Sequence, residues 1–186
     1  MLFYNPRTAY VQMTIMSANT TSVSIRRFTR SDLAAALAIQ TKVYPTFLVE
    51  NEASFASRLD AAMPYCLAAS ANGQLAGYLL AHGWQRSAPP PLGTPLKEVG
   101  ATEVLFIHDL AVASAGQGLG VGRRLVDHAV ELAVRDGLMS AELVAVEGAT
   151  GFWHAMGFAA LTTTPQIAAK LAAYGREATL MGRGIG

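Results

Sequence analysis

Apolar and polar residues alternate through Val23-Ser-Ile-Arg-Arg-Phe28, a period of two that predicts a strand. Thr29-Arg-Ser-Asp32 interrupts it, and Ser31 or Asp32 can cap a helix with apolar positions Leu33, Leu37, Ile39 and Val43. Pro45 ends that helix. Residues 48–59 read as a second short helix with Phe55 and Leu59 on one face. Residues 66–70 and 74–82 flank Asn72-Gly73, a pair that supplies the positive φ angles of a two-residue hairpin turn. Residues 87–95 hold Pro89, Pro90, Pro91 and Pro95 and predict a stiff loop outside the sheet. Val104-Leu-Phe-Ile-His-Asp-Leu-Ala-Val112 is the strongest strand signal. After the glycine-rich residues 113–122, apolar residues recur at Leu125, Val126, Ala129, Val130, Ala133 and Val134 with helical spacing. The pattern then predicts a strand over 141–146, a short helix over 149–156, a strand over 159–163, a helix over 167–174 and a closing strand over 178–183. The order β, αα, ββ, β, α, β, α, β, followed by the last helix and the closing strand, is that of an α/β fold, a mixed sheet with helices on both faces.

Composition narrows the class. Hydrophobic residues make up 52% and charged residues 15% of the 186, against roughly 25% charged in an average globular chain. That balance excludes intrinsic disorder. It also predicts apolar surface covered by a ligand or another subunit, which leaves room for a homodimer. The net charge of +1 gives no strong field for nucleic acid or an anionic membrane, so neither is an expected partner. No apolar run approaches the roughly 20 residues of a spanning helix. Residues 1–22 read as a poorly ordered leader and not as a signal peptide, with Met13 and Met16 as later start sites; residues 23–186 read as one domain. The single cysteine, Cys66, reads as core, is compatible with a reducing compartment, and a cytoplasmic protein is expected.

Gln117-Gly-Leu-Gly-Val-Gly122 lies between a predicted strand and a predicted helix. Amides at such a turn have no intrahelical partner, the helix dipole adds partial positive charge, and glycine lets an anion approach the backbone. Together they form a phosphate cradle. The segment fits neither the dinucleotide fingerprint nor the P-loop. Counting from Gly116 or Gly118, the last glycine slot holds Val121 or Arg123, and the chain contains no Gly-Lys-Ser/Thr triplet.

These residues resemble the GCN5-related N-acetyltransferases, whose motif is Gln/Arg-x-x-Gly-x-Gly/Ala after a strand ending like Leu110-Ala-Val112. Gly151-Phe-Trp-His-Ala-Met-Gly-Phe158 resembles the family's later segment, and the element order matches over residues 23–183. The resemblance implies a mostly antiparallel sheet with splayed fourth and fifth strands, and acetyl-CoA as co-substrate with no metal. Pantetheine would run along Leu110, Ala111 and Val112. The pyrophosphate would sit on the amides of Gln117, Gly118, Leu119, Gly120, Val121 and Gly122. With Gln117 in a slot often held by arginine, Arg123 or Arg124 is left to supply charge.

Attack of an amine on a thioester needs a proton acceptor, a donor for the oxyanion and a proton or stabilising group for the thiolate. His108 is the best base, and by strand period it shares a face with Phe106 and Leu110 while Asp109 points to the other. Asp109 reads as a structural acceptor. Trp153 takes the slot where many members carry a tyrosine that protonates the leaving thiolate; indole N–H donates a hydrogen bond but no proton. Tyr44 and Tyr78 are substitutes left unranked. Glu147, at the end of a predicted strand, is positioned to order water, bind an amine or cap a helix. Tyr44, Phe47, Glu50 and Glu52 read as an aromatic, acidic acceptor site, covered by the proline-rich loop. The leading function is acetyl transfer to a primary amine of a small molecule or peptide. The alternative is a non-catalytic acyl-CoA-binding sensor or interaction module.

Overall fold

Strand β3 (Gln74–Trp84) buries its residues on both faces and forms the middle of a seven-stranded sheet. The computed structural model describes residues 22–60, 65–96 and 102–186. The expected leader therefore lies outside the described residues except for Ser22. The other strands are β1 (Val23–Arg27), β2 (Leu67–Ala71), β4 (Val104–Val112), β5 (Ser140–Ala145), β6 (Ala159–Ala160) and β7 (Thr179–Gly184). Their order is β1-β2-β3-β4-β5-β7-β6, with β4 and β5 parallel and every other neighbouring pair antiparallel. Helices α1 (Leu33–Val43), α2 (Glu52–Asp60), α3 (Val121–Arg135), α4 (Thr150–Ala155) and α5 (Pro165–Leu171) cover both faces, as the mixed α/β reading expected. None of these helices is long and apolar enough to cross a membrane.

Local chemistry explains the boundaries. Tyr44 precedes Pro45 and takes extended angles, φ −99° and ψ 149°, so α1 stops at Val43. The second helix starts at Glu52 and not at residue 48, because the Asn51 carboxamide accepts the Ser54 amide at 2.9 Å and caps it. Residues 46–48 form a separate 3₁₀ turn. Asn72 and Gly73 both have positive φ, 51° and 76°, and make the β2–β3 turn.

Alternation along the central strands divides the interior. Leu79 and Ala81 join Leu105, Ile107, Leu125 and Trp153 in the core under α3 and α4. Tyr78 and Leu80 face the other way and pack with Phe28, Leu33, Ile39 and Phe55 under α1 and α2. In β4 the alternation slips. Ala81 pairs with Ile107 and Leu80 with Asp109, so His108 is an extra, bulged residue. After it, Leu110 and Val112 pack toward the α3 core and Ala111 toward the α1 core. The β4–β5 ladder covers only Leu105–Ile107 against Ala141–Leu143. Beyond it the two strands share no pairing, and the sheet opens.

Candidate active site

A cavity of about 510 Å³ occupies that opening. Its floor is Ile107, Leu110 and Val112 on one strand and Leu143, Val144 and Val146 along the other. The segment after α1 contributes Tyr44, Phe47 and Glu50, and the proline-rich loop contributes Leu92. Gly122, Phe152 and Trp153 close one flank. Glu147, Gly148 and Ala149 line the end of β5, and Tyr174, Gly175 and Arg176 reach in from the turn before β7.

The glycine turn sits beside Gly122. Gly118 and Gly120 have φ of +75° and +69°, a region where β-branched side chains are strained, and Gly120 is the N-cap of α3. A Cβ on either would meet no protein atom within 4 Å, so space is open above both. The first intrahelical bond runs from the Arg124 amide to the Gly120 carbonyl at 3.0 Å, which leaves the amides of Val121, Gly122 and Arg123 free of helical partners. These free amides and open backbone fit a pyrophosphate, and the β4 edge past Ile107 fits an extended amide chain. Arg123 and Arg124 are both exposed. Arg123 reaches only the Ala155 carbonyl, at 3.5 Å.

At the opposite end His108 is bound into a buried polar row. Its side chain is 2% exposed, and Nε2 lies 3.0 Å from Glu50 Oε2. The other Glu50 oxygen accepts from Arg58 Nη2 at 2.9 Å and from the Gly93 amide at 2.8 Å. Burial alone would raise the Glu50 carboxyl, but His108, Arg58 and the Gly93 amide outweigh it and hold it below its ordinary value. An ionised Glu50 assigns the Nε2 proton to His108, which leaves Nδ1 as the bare nitrogen. That Nδ1 is buried and has no hydrogen-bond partner among the described residues. His82, on β3, lies 6.1 Å from His108 ring to ring, and burial above all lowers its pKa to about 3.

The bulge changes the roles expected of two residues. Asp109 does not turn away from His108, and Leu110 does not share its face. The extra residue puts Asp109 on the α1 side, where its carboxyl meets the hydroxyls of Tyr44 at 2.7 Å and Tyr78 at 2.8 Å. Glu50 is likewise not a free acceptor carboxylate, since both its oxygens are taken inside the protein. Phe55 belongs to the core and Glu52 does not line the cavity. Trp153 is 7% exposed and packs edge-on against Phe152 and Phe158. Burial pushes the Cys66 thiol up to about 11, which suits a core residue and not a nucleophile. Among the described residues no group of three metal-ligating side chains occurs.

The model of the Acetyltransferase (GNAT) family matches residues 33–158. The chain belongs to this family. Known folds agree. The ribosomal-protein alanine N-acetyltransferase of Escherichia coli is 20% identical, with 89% of this chain and 95% of that one covered and a TM-score of 0.64. Naa50 of Arabidopsis thaliana, in complex with the bisubstrate analogue CoA-Ac-MVNAL, is 16% identical over 88% of this chain and 99% of that one, at a TM-score of 0.64. The loading GNATL domain of CurA from Lyngbya majuscula is 13% identical, covering 89% and 98%, with a TM-score of 0.72. No protein of curated function matches the sequence. The family and its CoA-bound members support an acyl-CoA-dependent acyltransferase.

The sequence-based site residues His108, Glu147, Trp153, Leu110, Val112, Gly122, Tyr44, Phe47 and Glu50 all line one cavity. Ala111 faces the α1 core, and residues 117–121 and Arg123 lie outside the cavity lining. Arg58, His82 and residues 174–176 were not legible as site residues. Arg58 is a charged residue on a short helix with nothing nearby in sequence to mark it. Gly175, at φ +116°, was the one signal of a turn aimed at the site.

Proposed function

We propose that this GNAT protein is an acetyl-CoA-dependent N-acetyltransferase that acetylates a primary amine of a small molecule or peptide by direct attack on the thioester. The observation that carries this reading is the placement of His108. Its bare Nδ1 stands at the bulge where β4 and β5 part, with its Nε2 held by ionised Glu50. Acetyl-CoA supplies the activated acyl carbon and a thiol leaving group. His108 Nδ1 takes the proton of the incoming ammonium, directly or through one water, and passes it to solvent; the freed nitrogen lone pair forms the C–N bond, the same Nδ1 takes the second proton that the nitrogen loses in becoming an amide, and the C–S bond breaks. The glycine turn and the β4 edge hold the donor arm in line. The cavity lining contributed by Phe47 and Leu92 is apolar, so an amine on an apolar body fits the acceptor side.

The test is CoA release against a panel of primary amines, with His108→Ala as comparison. Turnover should fall by roughly 10²–10⁴-fold in the variant, the range of a general-base contribution. Acetyl-CoA should still raise the variant's Tm, because the glycine turn is a separate element. A wild-type protein that binds acetyl-CoA and releases no CoA with any amine would favour the non-catalytic acyl-CoA-binding module.

A further inference from the structure

Three hydrogen-bond contacts meet at Asp109 and Tyr44. Tyr44 Oη stands 2.7 Å from Asp109 Oδ1 and 2.8 Å from the Leu110 carbonyl oxygen, and Tyr78 Oη stands 2.8 Å from Asp109 Oδ2. Each contact at such a length needs one proton between its two oxygens. The two phenols supply two. With Asp109 ionised, there are three acceptors for two donors, and one contact sets lone pair against lone pair. A proton on Asp109 Oδ1 removes the conflict. Asp109 then donates to Tyr44, Tyr44 donates to Leu110, and Tyr78 donates to Oδ2.

The surroundings agree with a neutral carboxyl. No arginine, lysine or histidine forms a salt bridge with Asp109 among the described residues. Tyr44 faces it from the end of α1, Tyr78 from β3, His108 from beside it on β4, and Glu50 from the segment before α2, while the Arg58 charge on α2 acts on it from beyond salt-bridge range and opposes the neutral form. Burial raises its pKa; the two phenols and His108 oppose that, Glu50 adds to it, and the balance lies upward.

We propose that Asp109 is stored as a neutral acid and returns a proton, through the Tyr44 hydroxyl, to the thiolate that leaves acyl-CoA. This rests on the acyl-transfer reading above. The residue at the usual tyrosine slot, Trp153, has no acidic proton to give. Tyr78 is fully buried outside the cavity lining, and Tyr174 lines the cavity but, among the described residues, its hydroxyl meets only the Pro90 carbonyl and has no acid behind it to replace a lost proton. Tyr44 lines the cavity beside Leu110, on the part of β4 that β5 leaves unpaired. As the C–S bond breaks, its electron pair goes to sulfur. The Tyr44 O–H proton passes to sulfur, and the Asp109 proton passes to the Tyr44 oxygen in the same event. The phenolate, which burial disfavours strongly, never accumulates. Asp109 is left as carboxylate beside the His108 imidazolium that holds the second proton of the acylated nitrogen. Transfer of that proton to Asp109 through water resets the site, and of the two protons the ammonium loses, one goes to solvent and one, in net, to the thiol.

The experiment combines infrared spectroscopy with kinetics on the full chain. Wild type minus Asp109→Asn should show, at neutral pH, a protonated-carboxyl C=O band that shifts in D₂O. Asparagine reproduces the hydrogen bonds of the neutral acid, donating through Nδ2 and accepting through Oδ1, so the variant should keep a near wild-type Tm. Its kcat should still fall, by roughly 10²-fold, because it has no proton to transfer. Tyr44→Phe should lower kcat similarly with the KM for acetyl-CoA unchanged. Absence of the band overturns the proposal whatever the turnover. Wild-type kcat in either variant also overturns it, since a purely structural role predicts that result for Asp109→Asn. A clear band in a protein that acetylates no amine would sink the acyl-transfer reading and the relay with it, and leave the neutral Asp109 standing.

Discussion

Glu50 shows how one buried contact redefines a residue. A carboxylate just after an aromatic segment reads as a partner for a cationic amine. In the fold it is 6% exposed and divides its oxygens among His108, Arg58 and Gly93. Its effect on catalysis therefore runs through the tautomer of His108. Glutamine at this position can present its NH₂ group to Nε2 and so favours the imidazole with Nδ1–H, which is no base. Glu50→Gln should lower kcat by about 10–100-fold while the KM values for acceptor and acetyl-CoA stay near wild type. Stability should fall by ~3 kcal/mol, because the guanidinium of Arg58 is left buried without its counter-charge. A denaturation curve and a kcat-against-KM comparison check both statements. A selective rise in the acceptor's KM would mean that Glu50 does face the substrate.

At the scale of elements, two devices build the site: the β4 bulge and the glycine N-terminus of α3. The bulge inserts His108 between Ile107 on the α3 side and Asp109 on the α1 side, so a chemical residue enters without loss of either core. The glycine turn is shaped by φ and by clearance. Gly120 needs +69°, and nothing in the protein fills the space above it. Gly120→Val would strain the turn and put a branched Cβ where an anion must approach. Saturating acetyl-CoA at 100 times its Kd should raise the stability of wild type by ~2.7 kcal/mol. In Gly120→Val that increment should vanish in a thermal-shift assay, with the unliganded variant still folding cooperatively. An undiminished shift would place the phosphates elsewhere.

For the whole molecule, the buried polar row between β3, β4 and α2 links acid stability to the site. His82 is fully buried, its Nδ1 lies 3.1 Å from the Gly83 carbonyl, and its Nε2 has no partner among the described residues. Its folded pKa of about 3 lies below the ordinary 6.5. Between those values the unfolded chain binds a proton that the folded chain refuses, so stability rises with pH through that window and is lost as pH falls. The groups nearest His82 are His108, Trp84 and Phe106, and the charge of Arg58 also disfavours its imidazolium. His82→Gln should remove about one proton from this dependence. The slope of unfolding free energy against pH between 6 and 4 should drop by roughly 1.4 kcal/mol per pH unit, as urea titrations at successive pH values would show. An unchanged slope would mean that His82 is protonated in the folded state.

Local sequence by itself determined the element order, the hairpin at Asn72-Gly73 and the glycine turn, and the resemblance of that turn and of residues 151–158 pointed to the family. These depend on period, turn chemistry and φ preference, which are properties of neighbours along the chain. Helix α2 was placed four residues early because its Asn51 cap competes with an apolar run that the 3₁₀ turn absorbs. The tertiary structure alone decided which charged groups are free. Arg58 meets Glu50 eight positions away, Glu50 meets His108 across 58, and Tyr44 meets Asp109 across 65. It also decided the face of Asp109, since a one-residue bulge leaves the strand's composition unchanged while it reverses every side chain beyond it. Long-range pairing and strand register are settled by packing against partners distant in sequence, and no local period encodes them.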